Sequence, residues 1–497
     1  MVSPPLVGAP TADAPGNRLD DADQRWTPRL ILSLSAIVLT LEMLTISYLM
    51  ISMAQPAISA HYQTTQGAWL LTTFLLVGAV AAPLLGKLAD MHGKRLMLLL
   101  CVAIAAVGTF ISAVAPSFAL MLVGRGLAGL LVPCLFLSYS LIRDVFPAKT
   151  VALAVSIATS GMGLVAIPAP FIAGWLIDDF GFRGVFWFML IGLAVLGLMI
   201  LATTAESPVR LRGRMDLVGA VLLGAGLAGV LVGVSMGPTW GWSASSTLLY
   251  LIGGSALIVA WAVSAKFVSD PLIDLNVLGR RSVAFTAIGA GMVYGVSGLY
   301  SLLLPTLAMT PAIMGLGYGF GVDAEGFAVF QAPIGALTVV GGLIVGVLVG
   351  RNVAPRALLA VGGVIAALGC ALTAYSNDTK GTLIVFAGLV GLGMGLGYAA
   401  IPNLVIAAVP PQLQASTASI MGVVQSVVPA ILPVIAFTVM NNSYIAPIPP
   451  EMTGGYTFYT QDGFKVAFLI AAAAGAVCAV AALLLPRKIE QIVLEDA

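Results

Sequence analysis

Charged residues are scarce in this chain. They make up 9% of its 497 residues, whereas a typical soluble domain contains about 25%. This scarcity excludes a large soluble protein, because such a protein would lack polar surface. The net charge of +1 excludes the basic field that binds nucleic acid. Two histidines and four cysteines are too few for the usual metal-cluster enzymes.

The few cysteines and the first residues exclude further classes. Each cysteine falls inside an apolar stretch, so we expect buried thiols and no disulfide. Residues 1–29 carry acidic residues and prolines without an apolar core, which excludes a secretory signal peptide. We interpret this segment as a cytoplasmic tail. The cysteines are Cys101, Cys134, Cys370 and Cys478.

Long apolar stretches are abundant instead. Hydrophobic residues form 60% of the chain, and about 20 in succession cross a bilayer. Turn residues and charges divide the chain into fourteen stretches. We therefore predict an all-α polytopic membrane protein. The stretches are 30–53, 67–87, 95–115, 118–142, 151–177, 184–203, 216–237, 247–268, 283–305, 327–349, 356–375, 382–405, 415–438 and 464–485.

The basic residues predict the orientation. With both termini in the cytoplasm, 18 of the 22 basic residues fall on the cytoplasmic side and three on the outer side. This bias follows the positive-inside rule, so we predict that both termini are cytoplasmic and that the cytoplasmic membrane holds the protein. The three outer residues are Arg183, Lys380 and Lys465.

The stretches group as six, two and six. Two six-helix halves are typical of secondary transporters with a site between them. Two connections on the predicted outer side, 306–326 and 440–463, are rich in Gly, Pro and Tyr; they either cap an outer vestibule or only connect helices. The predicted parts are a cytoplasmic tail at 1–29, a six-helix bundle at 30–205, two linker helices at 206–282, a second six-helix bundle at 283–486 and a cytoplasmic tail at 487–497.

Two charges lie deep in the predicted membrane. Glu42 is about 18 Å from the inner face at 1.5 Å per residue, and Arg125 is about 20 Å from it in a core of about 30 Å. We expect these side chains to face each other or a common cavity. Charges at such depth are costly and usually functional, so both are candidates for proton coupling. The alternative is an ion pair that only orients helices.

Helical spacing extends the candidate cavity. On the first stretch Ser35, Glu42, Thr45 and Ser52 share one arc, and on the fourth Arg125, Phe136, Tyr139 and Arg143 share a face. The small polar positions could equally serve helix packing. Gly342, Gly346 and Gly350 form a GxxxG pattern, most simply for packing. The candidate cavity residues are Thr45, Ser52, Phe136, Tyr139, Tyr294 and Gln425.

The loop between stretches two and three carries a specific motif. Residues 86–95 read GKLADMHGKR, which resembles the G-x-L-a-D-r-x-G-r-[KR] loop of the major facilitator superfamily; Met91 replaces its usual basic residue. We expect Asp90 either to accept hydrogen bonds from a helix N-terminus or to pair with Arg143, and this cluster to act as a gate. Its residues are Gly86, Asp90, Gly93, Lys94, Arg95 and Arg143.

Further motifs carry the resemblance over residues 30–485. Arg125 and Gly129 resemble the l-x-x-R-x-x-x-G motif linked to proton coupling. Residues 161–174, GMGLVAIPAPFIAG, are similar to the antiporter motif g-x-x-x-G-P-x-x-G-G, with alanines at two glycine positions; the alternative is a proline-kinked helix. The candidate antiporter residues are Gly161, Pro168, Pro170 and Gly174.

Two linking segments and one departure refine the resemblance. Pro271–Leu275 and Val409–Pro411 resemble segments of the fourteen-span drug:proton antiporters. In that family an Asp is usual late in span one, where this chain has Ser47. Glu42 is expected to take the proton role instead.

The resemblance implies a proton-coupled exporter of hydrophobic or amphipathic compounds. A cavity with one acid, one Arg and many apolar side chains suits apolar or cationic ligands. The alternatives are export or flipping of a lipid or lipid-like metabolite and, remotely, a non-transporting receptor. The glycine-rich run Gly391–Gly397 lies in a span without a preceding strand, and no P-loop is present. We therefore expect neither an enzyme nor an ATP-driven pump, and no cofactor. We expect a monomer whose partners are the substrate, protons and lipid.

Overall fold

The computed structural model consists of helices that follow the apolar stretches. It describes residues 26–64, 67, 69–165, 168–211, 213–312, 315–322, 324–440 and 459–487. Within these ranges, thirteen helices are long and apolar enough to cross a membrane. The protein is therefore a multi-pass membrane protein.

The first predicted bundle contains eight helical segments. The segment α1 is longer than the apolar stretch that predicted it, and α4 and α5 together form one span. They are α1 (Pro28–His61), α2 (Trp69–His92), α3 (Lys94–Val114), α4 (Phe118–Ala128), α5 (Leu131–Val145), α6 (Ala148–Ser160), α7 (Pro168–Phe180) and α8 (Phe182–Thr203).

The rest of the chain forms the linker helices and the second predicted bundle. The linker helices are α9 (Leu217–Trp240) and α10 (Ser245–Ser264), followed by the short α11 (Leu275–Gly279). The second bundle consists of α12 (Arg281–Ala308), α13 (Ala324–Gly350), α14 (Pro355–Tyr375), α15 (Lys380–Ala408), α16 (Gln414–Met440) and α17 (Gln461–Leu484).

The predicted fifth span is broken. Where one helix was expected over 151–177, α6 ends at Ser160, a 3₁₀ turn covers Gly161–Gly163, and α7 begins at Pro168. Glycine and proline favour such a break, because glycine weakens a helix and proline has no N–H to continue it. Neither piece reaches the length of a spanning helix, so the count of fourteen spans and the orientation stay predictions.

Two helix pairs form the largest contacts between the bundles. The first is α2 with α16, and the second is α6 with α13. In the second pair, a Cβ atom built on Gly342 would lie 1.9 Å from Ser160 Oγ, and one on Gly346 would lie 2.9 Å from Leu153 Cδ1. Gly342 and Gly346 therefore serve close packing between the bundles, whereas a Cβ atom on Gly350 would meet nothing within 4 Å.

The linker helices pack beside the first of these pairs. Leu223 and Leu227 of α9 and Trp261 of α10 form a small apolar core with Leu272 and with Ile420 of α16. The linker helices therefore contact a helix of the second bundle directly.

The loop after α12 packs on the second bundle. Tyr318 is buried and its hydroxyl donates to the carbonyl of Tyr459, and Phe320 stacks on Phe330 with centroids 5.8 Å apart. In its described part this loop contacts α13 and the start of α17. Most of the other predicted outer connection, 440–463, lies outside the described residues. All four cysteines are free and buried.

Candidate functional site

Glu42 is a buried carboxylate in the middle of α1. The residue is 1% exposed. The backbone amide of Val165 approaches the carboxylate, but among the described residues neither oxygen makes a hydrogen bond of normal geometry. An unsatisfied buried charge is costly, so this side chain is a candidate for protonation.

The broken helix lies directly beside Glu42. A Cβ atom on Gly161 would lie 3.5 Å from Glu42 Oε1 and 3.2 Å from Val38 Cγ1, so glycine leaves the approach open. Pro168 begins the next helix, whereas a Cβ atom built on Gly174 would meet no atom within 4 Å. The segment that resembles the antiporter motif therefore brings Gly161 to the acid; Pro170 lies in α7, and its side chain is outside the described part.

Arg125 is fully buried and bound to other groups. Its Nε donates to the carbonyl of Leu70 at 3.2 Å, and its Nη1 donates to Ser47 Oγ at 2.9 Å. The guanidinium carbon lies 4.5 Å from the ring centroid of Phe74, a cation–π contact. Its Nη2 has no hydrogen-bond partner in the described part of the chain. The arginine therefore joins α4 to α1 and α2.

Glu42 and Arg125 do not pair. Among the described residues, Lys94 forms ion pairs with Asp90 and Asp144 within 4.0 Å, whereas Glu42 and Arg125 form none with each other. Of the two expected arrangements, side chains that face each other or a common cavity, the direct pair is not formed, because equal depth does not fix the helix face. Ser47 is five residues beyond Glu42, about 140° around the helix. Ser47 points to Arg125, and Glu42 points to the break at Gly161.

The signal for this arrangement was present in the sequence. Ser47 occupies the position where the resembling family has an Asp, and it is the residue that contacts Arg125. The motif therefore indicated the correct partner, and Glu42 is a separate acidic site on a different face of α1.

Asp90 caps a helix of the other bundle. Its carboxylate accepts from the backbone N–H groups of Ala415 at 3.1 Å and Ser416 at 2.7 Å, and from Ser416 Oγ at 2.6 Å. These residues open α16, where unpaired N–H groups and the helix dipole favour an anion. The sequence left two partners open for Asp90, and the helix N-terminus is the one observed.

Lys94 and Arg143 bind the same segment of the second bundle. Lys94 Nζ donates to Asp144 at 2.6 Å and to the carbonyl of Pro411 at 3.0 Å. Arg143 donates to the carbonyl of Val409 at 2.8 Å and to Gln414 Oε1. The alternative pairing of Asp90 with Arg143 is therefore not formed. The residues Val409–Pro411, singled out by resemblance, are part of this contact.

The remaining motif residues shape the turn between α2 and α3. Gly93 has φ +129°, a conformation that favours glycine. Arg95 donates to the carbonyl of Leu201 at 2.8 Å. A Cβ atom on Gly86 would lie 2.6 Å from Ser419 Cβ, so glycine allows α2 to approach α16. Glu206, which the sequence did not single out, accepts from the backbone N–H groups of Arg95 and Leu96.

The linker segment also contacts this cluster. Lys87 Nζ donates to the carbonyl of Pro271 at 3.2 Å, and Asp216 accepts from the N–H of Leu272 at 3.2 Å. The Pro271–Leu275 segment thus lies against α2 and the start of α9. We call the end of the molecule that contains all these contacts, around Gly93, the basic end.

The predicted cavity residues fall into two groups. Phe136 and Tyr139 are buried against α16, where Tyr139 donates to the carbonyl of Ala418 at 3.5 Å. Tyr294 is half-buried with its ring 4.5 Å from that of Tyr398, a residue that the sequence did not single out.

The other predicted cavity residues differ in how far they are buried. Thr45 and Gln425 are half-buried and Ser52 is exposed. Asn403, also missed, donates to Ser156 of the first bundle at 3.3 Å. No periodic signal distinguished Tyr398 or Asn403 from their apolar neighbours.

The amino-acid sequence is similar to those of known proteins. The family model described as Major Facilitator Superfamily matches residues 35–433. The chain is 28% identical over 414 residues to the "Multidrug resistance protein B homolog" of Mycobacterium tuberculosis, with 79% of this chain and 73% of that protein covered. It is 29% identical over 390 residues to the "Probable actinorhodin transporter" of Streptomyces coelicolor, with 74% and 65% covered.

The fold has a solved counterpart. The crystal structure of the human organic anion transporter MFSD10 (TETRAN) matches with a TM-score of 0.63 and 14% sequence identity, covering 93% of this chain and 100% of that one. At this identity the match shows the fold alone.

Proposed function

Because this chain belongs to the major facilitator superfamily, and is therefore a transporter and not an enzyme, we propose that it exports hydrophobic or amphipathic compounds in exchange for protons. Its curated relatives include multidrug resistance proteins. In this proposal proton entry drives export, and the binding site is open alternately to the two sides of the membrane.

The isolation of Glu42 carries the proposal. An ionised carboxylate without hydrogen bonds is costly in an apolar environment, and a bound proton removes most of that cost. When water reaches the carboxyl group, the ionised form is solvated again. A group with these properties takes up and releases a proton as its access to water changes, which is the requirement for proton coupling.

The helix break supplies a means of changing that access. The turn Gly161–Gly163 begins beside Glu42, and a Cβ atom on Gly163 would lie 2.7 Å from the carbonyl oxygen of Gly335 in the other bundle. Any movement of α13 against α6 therefore changes the surroundings of the break. We propose that this contact links the state of Glu42 to the relative position of the bundles.

Arg125 has a different role in this proposal. Its contacts with Ser47, Leu70 and Phe74 hold α1, α2 and α4 together and keep a fixed positive charge inside the first bundle. The arginine is not the direct partner of Glu42; it fixes the helix that carries Glu42 and favours a negative charge nearby.

The contacts at the basic end supply the gate. Asp90, Lys94 and Arg143 bind residues 409–416 of the second bundle, so the bundles are closed together at that end. We propose that this end is cytoplasmic and that these bonds break when the site opens to the cytoplasm. The moving parts are then the two predicted bundles and the predicted pair of linker helices. A monomer is sufficient for this cycle.

The aromatic side chains favour an apolar substrate. Phe136 and Tyr139 on α5 and Tyr294 and Tyr398 of the second bundle surround the contact between the bundles. Aromatic rings bind apolar and cationic groups through their faces, and few charged groups are available to recognise a highly polar ligand.

Transport in proteoliposomes tests the proposal. A pH gradient should drive uphill export of a hydrophobic dye by the unmodified protein. Glu42→Gln should abolish uphill export while dye binding is retained. Asp179→Asn, an exposed carboxylate at the end of α7, serves as the matched control and should transport normally. Full uphill activity of Glu42→Gln would disprove the proton role.

Export of a native lipid-like metabolite is the second candidate. It is supported by the similarity to the protein named as a probable actinorhodin transporter. A panel that includes membrane-soluble metabolites and synthetic dyes distinguishes the two: a metabolite exporter should transport one chemical class and ignore unrelated dyes.

A further inference from the structure

A cavity lies at the basic end, where the segment after α10 meets both bundles. Its volume is about 140 Å³, close to the roughly 150 Å³ of a cavity that holds a benzene ring. Buried apolar side chains form much of its wall, and the exposed Ser269 and Asp274 mark where it meets the solvent. We call it the linker cavity. Its lining includes Lys87, Leu272, Ile273, Val277, Leu413 and Ile420.

The walls of the linker cavity come from parts that separate in the proposed cycle. Lys87 belongs to α2 of the first bundle, whereas Ser416 and Ile420 belong to α16 of the second. Ser416 also donates to Asp90 at 2.6 Å, one of the bonds that close the basic end. The cavity is therefore complete only while the two bundles are together at that end.

The charged groups of the lining favour a cation. Among the described side chains around the cavity, Asp270 and Asp274 supply two carboxylates and Lys87 supplies one ammonium. The ammonium is buried and donates to the carbonyl of Pro271 at 3.2 Å, so it is already bound. Each carboxylate accepts from one backbone N–H of the surrounding loops and keeps further acceptor sites, because an ionised carboxylate has about four.

We propose that the linker cavity is an inhibitory site for a small aromatic ammonium compound, and that its occupation holds the basic end closed. The ring contacts the apolar wall, and the ammonium group donates to the carboxylates at the mouth. Of the described residues, none from α1 lines the cavity, so this site is separate from Glu42.

Occupation of the cavity should act on the gate by mass action. A ligand that binds the closed arrangement alone lowers the ratio of open to closed molecules, by about elevenfold when its concentration is ten times its Kd. A transporter held closed at the basic end cannot return its binding site to the cytoplasm, so export stops. The inference rests on the proposed gate and adds a means of controlling it.

Binding of para-fluorobenzylamine tests the site without transport. The probe is added at neutral pH, where its amine is protonated, to the full chain in nanodiscs, and its fluorine NMR signal reports binding. Binding should saturate. The uncharged para-fluorobenzyl alcohol should bind about threefold more weakly, the difference expected for an ion pair near the surface.

Two variants fill the cavity at different points. Val277→Phe adds a ring to its wall and Ser269→Trp covers its mouth, and each should weaken binding about tenfold because the probe loses apolar contact. Ser269 is exposed, so its variant serves should Val277→Phe fail to fold. Asp270→Asn should weaken binding about threefold. Val480→Phe, on the exposed face of α17, and Asp179→Asn control for an added ring and a lost surface charge, and both should bind normally.

Cysteine labelling measures closure by the bound probe. Ser156 on α6 contacts Asn403 of the second bundle, so a cysteine at this position reports whether the bundles are apart. In a protein that carries Ser156→Cys and Asp90→Asn, the probe at ten times its Kd should slow maleimide labelling by up to about elevenfold. Adding Val277→Phe to that protein should remove the effect.

The outcomes separate this inference from the proposed function. Binding that does not saturate, or that is unchanged in both filled variants, would overturn the linker cavity as a site. Saturable binding that leaves the labelling rate of the Asp90→Asn protein unchanged would overturn its action on the gate. Saturable binding and slower labelling in a protein without pH-driven export would support the inference and reject the proposed proton exchange.

Discussion

Removing the charge of Asp90 should open the basic end of the transporter. The carboxylate accepts three hydrogen bonds from the start of α16, and all three exist only while the bundles are together. In Asp90→Asn one oxygen becomes an amide nitrogen that cannot accept, and the remaining bonds lose their charge assistance.

The size of the effect follows from these bonds. A hydrogen bond to a charged group contributes about 1.5–3 kcal/mol, so losing one and weakening two should cost the closed state about 3 kcal/mol, or about 150-fold in the ratio of open to closed molecules. Ser416→Ala removes the hydroxyl bond alone and should cost about 1.5 kcal/mol, or about twelvefold.

Cysteine labelling measures the opening. Ser156→Cys on α6 places a thiol at the contact with Asn403 of the other bundle, and the four native cysteines are buried. A water-soluble maleimide should label this thiol faster in Asp90→Asn and moderately faster in Ser416→Ala. Asp179→Asn should leave the rate unchanged. Unchanged labelling in a well-expressed Asp90→Asn protein would refute the gating role of these bonds.

Three further predictions concern packing, the buried arginine and the driving force. Gly342→Ala should lower the melting temperature, because its Cβ atom would lie 2.1 Å from Ser160 Cβ. Gly350→Ala on the same helix meets nothing within 4 Å and should be neutral or stabilising. Equal melting temperatures of the two variants would contradict the packing. Ser47→Ala leaves a buried guanidinium donor of Arg125 unpaired and should cost about 1–3 kcal/mol of stability. Thermal unfolding measures this loss, with Ser52→Ala at an exposed position as the control. Equal stability of the two variants would mean that the Ser47–Arg125 bond contributes nothing. With one proton per cycle, a membrane potential of 100 mV supplies about 2.3 kcal/mol, so collapsing the potential should slow export of a neutral dye. Export of a monovalent cationic dye should stay almost unchanged, because exchanging one cation for one proton moves no net charge. Export supported by sodium or ATP alone would exclude proton exchange.

The sequence alone determined the class of protein and most of its helices. Scarce charge and long apolar stretches require a bilayer, and nearly every predicted span has a helix in the structure. The loop motif also indicated the residues of the contact at the basic end, because the requirement for Gly93 and Asp90 is local: a turn with positive φ and an acceptor for a helix N-terminus.

The tertiary structure decided which residues meet. Helix depth can be counted along the chain, whereas the face that a residue presents depends on how each helix rotates against its neighbours. Glu42 and Arg125 therefore share a depth without a contact, and Ser47 is the partner of Arg125. The same applies to the choice of Asp90 between Arg143 and the start of α16, and to the break at Gly161 beside Glu42. These contacts join residues far apart in the chain, and only the packing of the helices brings them together.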